Sequence, residues 1–117
     1  MTDDTPARPA AEGSEGQLDA VDALLNVFAL ANSMDLHRDH LDPPDRVLVW
    51  FRDGLERRIH LRPAAGGSIA MELAAGEWGA REPGLRVAFD DPMAPSEIKA
   101  RLPDAVDAAN GLTLPDS

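Results

Sequence analysis

The dipeptide Asp53-Gly54 constrains the fold of this chain more than any other feature of its sequence. It is a turn-forming pair, and it separates two stretches in which apolar and polar residues alternate, 46–52 and 55–62. Alternation with a period of two is typical of a strand that buries one face. The sequence therefore predicts an antiparallel β-hairpin over residues 46–62.

The register of this hairpin decides which side chains face the core. A two-residue turn would set apolar residues of the first strand against polar residues of the second, for example Val49 against Arg58. A three-residue loop over 52–54, closed by a bulge, instead pairs Phe51 with Leu55. We expect this second register, because a shift of one residue would send the apolar set to the opposite side. The expected core face carries Val47, Val49, Phe51, Leu55, Arg57, Ile59 and Leu61.

Apolar residues before the hairpin recur at helical spacing. The stripe predicts a helix of roughly four turns over residues 18–33. Residues 34–45, which include Pro43-Pro44 and four aspartates, are expected to form a loop, since neither a helix interior nor a central strand accommodates that pair. The helical stripe consists of Leu18, Val21, Leu25 and Phe28, widened by Leu24 and Ala31.

After the hairpin the alternation of a strand returns at residues 69–73 and 85–89, with a glycine-rich irregular stretch, 74–84, between them. Pro95 is placed to open a C-terminal helix, in which Pro103 should produce a kink or a division into two helices. The apolar stripe of that helix is Ile98, Leu102, Val106 and Ala109. The predicted fold is a two-layer α+β domain with an N-terminal helix, a four-stranded antiparallel meander and a C-terminal helix kinked near Pro103.

Length and composition fit one domain, because 117 residues of which 44% are hydrophobic supply a single core. Residues 1–16, rich in proline, alanine, glutamate, glycine and serine, are expected to be a disordered tail. Residues 17–112 then form the domain, and residues 113–117 a C-terminal tail. The chain starts with neither a basic segment nor a long apolar run, and we expect a cytoplasmic protein.

The net charge of the chain limits the classes of partner that it can bind. The chain carries 11 Lys and Arg against 21 Asp and Glu, a formal charge of −10, which disfavours nucleic acid as a partner. No membrane partner is expected, because the longest apolar run, 27–31, is far too short to span a bilayer. Residues 46–62 differ from the rest, because five arginines and two acidic residues give this segment a charge of +3. The hairpin is a basic island on an acidic protein.

The sequence predicts no catalytic residue, metal site or cofactor. Cysteine is absent, and no serine or glycine pattern matches a nucleophile elbow or a phosphate-binding loop. His37 and His40 are spaced to share a metal ion on a helix, but no third ligand follows at a recognised spacing, and ordinary loop chemistry explains them better. Carboxylate pairs that form only in space keep a small enzyme open as an alternative.

The second face of the hairpin is the predicted binding surface. It presents Leu48 and Trp50 beside Arg58 and His60, with Trp50 near enough to Arg58 for a cation–π contact. Tryptophan and arginine contribute most to many protein interfaces, so these four residues are the predicted partner contacts. The alternative is that a helix, or the loop containing Trp78, covers Leu48 and Trp50.

The order of elements, with Leu24-Leu25-Asn26-Val27-Phe28-Ala29 in the first helix, resembles the small acidic chaperones of type III secretion. This resemblance implies a cytoplasmic α+β homodimer that keeps one effector's amino-terminal segment extended, without using ATP. The chain departs from the family where a helix between the third and fourth strands usually builds the dimer interface, because residues 74–84 are glycine-rich.

The leading hypothesis is therefore a non-enzymatic protein-binding module, a secretion-type chaperone or adaptor that binds its partner on the sheet surface. An inhibitor or immunity protein, whose acidic exterior would cover a basic site on a toxin or nuclease, is the alternative. A small enzyme ranks third.

Overall fold

The computed structural model describes residues 18–39, 45–77 and 84–113. These residues contain helix α1 (Asp22–Ala31) and helix α2 (Pro95–Asn110) at the two ends. Between the helices lie strands β1 (Asp35–Asp39), β2 (Asp45–Arg52), β3 (Leu55–Pro63), β4 (Ile69–Glu77) and β5 (Leu85–Met93), with one turn of 3-10 helix at Ala65–Gly67.

The strands form one antiparallel sheet in the order β1-β2-β3-β4-β5, so each strand pairs with its neighbours along the chain. Both helices contribute to one hydrophobic core on the same face of the sheet. The α+β class and the meander are confirmed, but the sheet has five strands where four were predicted. The buried core consists of Leu18, Val21, Leu25, Ala29, Leu48, Trp50, Ile59, Leu61, Ile69, Met71, Leu73, Met93, Ile98, Leu102, Ala105 and Ala109.

Strand β1 is the element that the sequence did not predict, because residues 34–45 were expected to form a loop. Its single large apolar residue, Leu36, lies opposite Leu48 of β2 and packs against the core. Within the described residues β1 pairs with β2 alone. An edge strand of this kind needs only one paired side and one buried side chain, which leaves little pattern in the sequence. Residues 40–44 lie outside the described residues.

The apolar stripes predicted for the helices are confirmed in large part. In the first, Leu18, Val21 and Leu25 are buried and Phe28 is partly buried, although α1 itself starts only at Asp22. In the second, Ile98, Leu102 and Ala109 are buried and Val106 is partly buried.

Helix α2 runs through Pro103 as one element, so of the two predicted effects of this proline, a kink or a division into two helices, the division is wrong. Pro103 is exposed to solvent. On that side of the helix the carbonyl group that loses its hydrogen bond can be hydrated, which removes much of the cost of a proline in a helix interior.

Strands β4 and β5 both continue beyond their predicted ends. Residues 74–76, expected to be irregular, pair with β3, and Ala74 and Ala75 are fully buried. Backbone pairing on both sides holds this small-residue stretch in the sheet. Trp78, the tail 1–16 and residues 114–117 lie outside the described residues. No helix in the described parts of the chain combines the length and apolar content needed to cross a membrane.

Candidate binding site on the open sheet face

The turn between β2 and β3 sets the orientation of every side chain in the hairpin. Asp53 and Gly54 both have positive φ, 55° and 80°, as in a two-residue type I′ turn. Trp50 consequently lies opposite Arg57, and Arg52 opposite Leu55. The predicted three-residue loop is wrong. Aspartate and glycine both tolerate positive φ, and the twist of a type I′ turn matches that of the strands, which favours the shorter loop.

This register inverts the predicted faces of β2 but not those of β3. Leu48 is fully buried and Trp50 is 8% exposed on the helix-covered face, whereas Val49 and its alternate neighbours point to the other side. On β3 the predicted core residues Arg57, Ile59 and Leu61 are buried as expected. A shift of one residue in a single strand therefore accounts for the whole error.

The four predicted partner contacts are divided between the two faces. Leu48 and Trp50 belong to the core, while Arg58 and His60 lie on the opposite face. The alternative in which a helix covers Leu48 and Trp50 is the arrangement observed. Trp50 Nε1 donates a hydrogen bond to Asn110 Oδ1 of α2 at 2.8 Å, so its polar atom is satisfied inside the fold. The predicted contact between Trp50 and Arg58 is therefore wrong.

Arg57 holds the C-terminal end of α2 against the hairpin. Its side chain is buried, and its Nη1 donates to the carbonyl oxygens of Ala109 at 2.6 Å and Leu112 at 2.9 Å. Its Nε donates to the carbonyl oxygen of Arg52 at 3.2 Å. Carbonyl groups at a helix C-terminus lack partners within the helix and carry partial negative charge, so a buried arginine is favourable there.

Arg46 holds the N-terminal end of α1 against the hairpin in a similar way. Its Nε donates to Asp22 Oδ1 at 2.7 Å, and its Nη2 donates to Asp22 Oδ2 and Asp19 Oδ1, both at 3.1 Å. The hydrogen bond to Asp22 raises the pKa of Arg46, against the effect of burial. Two buried arginines thus fasten both helices to one face of the sheet.

The other face of the hairpin and β1, which we call the open face, forms a groove of about 450 Å³. Three apolar side chains of β2 lie along it, and one of them, Phe51, is 54% exposed. A volume of this size is in the range of roughly 300–1,000 Å³ that is usual for ligand sites. The groove is lined by Asp35, His37, Val47, Val49, Phe51, Glu56, Arg58 and His60.

The arginines of this face are neutralised by carboxylates of the same sheet. Arg58 Nε donates to Glu56 Oε2 at 2.5 Å. Arg62 forms two ion pairs, one from its Nε to Asp45 Oδ2 at 3.0 Å and one from its Nη1 to Glu72 Oε1 at 3.3 Å. Most of the hairpin's positive charge is therefore neutralised by ion pairs within the chain, and the hairpin does not present a basic surface.

His60 lies near the middle of the open face, half-buried, between Val47 of β2 and Glu72 of β4. Burial lowers the pKa of His60, and the positive charges of Arg62, Arg58 and Arg86 lower it further, against the opposing effect of Glu72. The imidazole is consequently neutral at pH 7, with one nitrogen able to donate a hydrogen bond and one able to accept.

The histidines do not form a metal site in the described part of the chain. His37 of β1 and His60 of β3 both lie opposite Val47, which separates them. His40, the predicted neighbour of His37, lies outside the described residues. No group of three or more histidine, aspartate or glutamate side chains able to hold a metal ion occurs in the parts that the structure describes.

The sequence did not predict most residues of the groove. Those missed are its apolar floor, Val47, Val49 and Phe51, and two residues of β1, Asp35 and His37. The signal for the floor was present, since an Asp-Gly pair between alternating stretches favours a type I′ turn. That turn would have placed Val47, Val49 and Phe51 away from the core. No comparable pattern marks β1.

Comparison of the chain with protein-family models, with curated proteins and with solved structures gave no match, so its function has to be argued from the geometry of the open face.

Proposed function

We propose that this protein is a non-enzymatic protein-binding module, and that the open face of its sheet receives a segment of the partner. The proposal includes the role of a secretion-type chaperone or adaptor, a cytoplasmic location and a homodimer, as implied by the resemblance to type III secretion chaperones.

The observation that carries the proposal is the apolar strip of Val47, Val49 and Phe51 on a face that the described helices leave uncovered. Burying it against a partner would gain roughly 25 cal/mol per Å² of apolar surface. An aromatic side chain beside polar and charged groups is also a composition typical of protein interfaces. Arg58 and His60, two of the predicted contacts, line the same groove.

Affinity capture from cells of the native host tests the proposal, with the wild-type chain, Phe51→Glu and Leu30→Glu as baits. Both variants place one carboxylate at an exposed apolar position, since Phe51 is 54% and Leu30 is 83% exposed. Leu30 is on α1, outside the groove, and serves as the matched control. We expect Phe51→Glu to reduce capture of the specific partner about tenfold or more, and Leu30→Glu to leave it unchanged.

Thermal unfolding of both variants, followed by circular dichroism, establishes that they remain folded. Equal capture by wild type and a folded Phe51→Glu variant would contradict the proposal. Loss of capture with Leu30→Glu alone would place the binding surface on α1 instead.

An inhibitor of a basic protein is the second candidate, and one observation favours it. Because Arg58 and Arg62 are paired internally, the excess of acidic residues remains available on the exterior. This hypothesis predicts that neutralising exposed carboxylates of α2, in Glu97→Gln with Asp107→Asn, weakens partner capture, whereas a partner held by the open face would still bind. Neutralising Asp22 is unsuitable for this test, because its ion pair with Arg46 fastens α1.

A further inference from the structure

We infer that the open-face groove receives an extended segment of a partner protein in which apolar residues alternate and a lysine or arginine pairs with Asp35. This inference rests on the proposed function and specifies the chemistry of the partner.

The floor of the groove has the spacing of an extended chain. Val47, Val49 and Phe51 occupy every second position of one strand, so their side chains recur about every 7 Å along β2. Alternate side chains of a partner segment in extended conformation recur at the same distance. A helical segment repeats its apolar face with a different period and would not match three successive positions.

The charge of the lining favours a cation. With histidines counted as neutral, the lining contains the carboxylates of Asp35 and Glu56 and one arginine, Arg58, which gives a charge of −1. Glu56 is engaged with Arg58. Asp35 is exposed and has no ion pair within the described residues, so it is the charge left for a ligand.

Asp35 is also well placed for this contact. It lies directly opposite Val49 in the pairing of β1 with β2. A lysine or arginine next to an apolar residue seated on Val49 is therefore within reach of the carboxylate, because neighbouring strands are only about 5 Å apart.

The same charges argue against other occupants. The chain's own residues 1–17 contain one arginine and four acidic residues, a charge of −3, and a second copy of the chain carries −10. Like charge opposes the approach of either to Asp35, so the proposed homodimer would use a surface other than this groove. Nucleic acid and anionic membranes are disfavoured in the same way.

Selection of random twelve-residue peptides from a display library against the full chain tests the inference. We expect the selected peptides to alternate apolar residues and to be enriched in lysine and arginine. Their affinity for Asp35→Asn should fall about twofold to fivefold, the usual range for an exposed ion pair. Asp107→Asn makes the same chemical change on the exposed side of α2 and should have no effect.

A charge reversal sharpens the result. Asp35→Lys should weaken binding more than Asp35→Asn, and replacing the lysine of the peptide by glutamate should restore affinity for Asp35→Lys but not for wild type. Such rescue requires a direct contact and would not follow from a change in stability alone.

The outcomes separate this inference from the proposed function. Peptides that lose affinity for Phe51→Glu but are indifferent to Asp35→Asn and to their own charge would overturn the inference and leave open-face binding intact. Peptides unaffected by Phe51→Glu would overturn both. If Asp35→Asn and Asp107→Asn weakened peptide binding equally, the inference would be overturned, because the effect would then come from the overall negative charge and not from a contact with Asp35.

Discussion

Two pairs of chemically similar neighbours on the hairpin have opposite surroundings. Trp50 and Phe51 are consecutive on β2, yet Trp50 is 8% and Phe51 54% exposed. Arg57 and Arg58 are consecutive on β3, yet Arg57 donates to carbonyls at the end of α2 while Arg58 lines the groove. Strand alternation separates the members of each pair, and the two described helices cover only one of the two sides.

The contrast teaches that residue type is a poor guide to role in this sheet. The buried polar side chains of the covered face have partners at a helix: Asn110 for Trp50, Asp22 for Arg46 and the Ala109 carbonyl for Arg57. On the open face Arg62 instead binds Asp45 and Glu72 on the two neighbouring strands. Substitutions on the covered face should therefore change stability, and those on the open face should change binding.

The largest difference is expected between Trp50→Ala and Phe51→Ala. Removing Trp50 leaves a cavity and an unpaired Asn110, and should cost about 3–5 kcal/mol of unfolding free energy. Phe51→Ala should cost less than about 1 kcal/mol, because the side chain is largely exposed. Urea denaturation followed by circular dichroism measures both. Equal destabilisation by the two variants would mean that Phe51 is also a core residue.

A smaller difference is expected between Arg57→Met and Arg58→Met. The first removes the donor that three carbonyl oxygens share and should lower the free energy of unfolding by about 3 kcal/mol. The second removes a partly exposed ion pair with Glu56 and should cost less than about 1 kcal/mol.

Hydrogen exchange locates the effect of these arginine variants. Protection should be lost first in the last turn of α2 when Arg57 is replaced and should be unchanged there when Arg58 is replaced. Normal protection at the end of α2 in Arg57→Met would show that the carbonyl contacts do not hold the helix.

The smallest effect is expected from His60 and depends on pH. The pKa of His60 is lowered in the folded protein, chiefly by burial, so below its ordinary value of 6.5 the unfolded state binds more protons. His60 therefore contributes stability above pH 6.5 that is lost as the pH falls through the folded pKa. The groups around it that set this shift are Arg58 and Arg62 on β3, Glu72 on β4 and Arg86, which lies on β5.

Comparing wild type with His60→Gln isolates this contribution from the titration of the carboxylates. The free energy of unfolding of wild type, measured between pH 7.5 and 5, should decrease more steeply than that of the variant. Parallel curves would indicate that the imidazole titrates alike in the folded and unfolded states.

The hairpin shows how far sequence reasoning reached and why it stopped. It identified both strands and the buried face of β3, because the alternation of Ile59 and Leu61 with polar residues agrees with their burial. It failed for β2, where the covered face includes Arg46 and the open face is apolar. A pattern of hydrophobicity does not reveal that Arg46 is buried in an ion pair with Asp22, or that an apolar strip stays exposed.

Strand β1 and the groove could not be predicted from the sequence, because both depend on contacts between segments that are distant in the chain. The backbone of β1 is held by β2, and its side chains follow no alternation apart from Leu36. Asp35 enters the groove only because that pairing places it opposite Val49. Contacts between segments distant in the sequence create such a site, and no local pattern encodes them.

Local signals were enough to establish the amphipathic helices, the position of the turn near Asp53-Gly54 and the α+β class, since each depends on periodicity or on the conformational preference of a few consecutive residues. The choice of which face of β2 is buried, the addition of β1 and the composition of the groove came from packing. There the free energy of burying a side chain depends on its partners in space. Within the described residues, two helices pair with the buried arginines of one face and leave the other face uncovered.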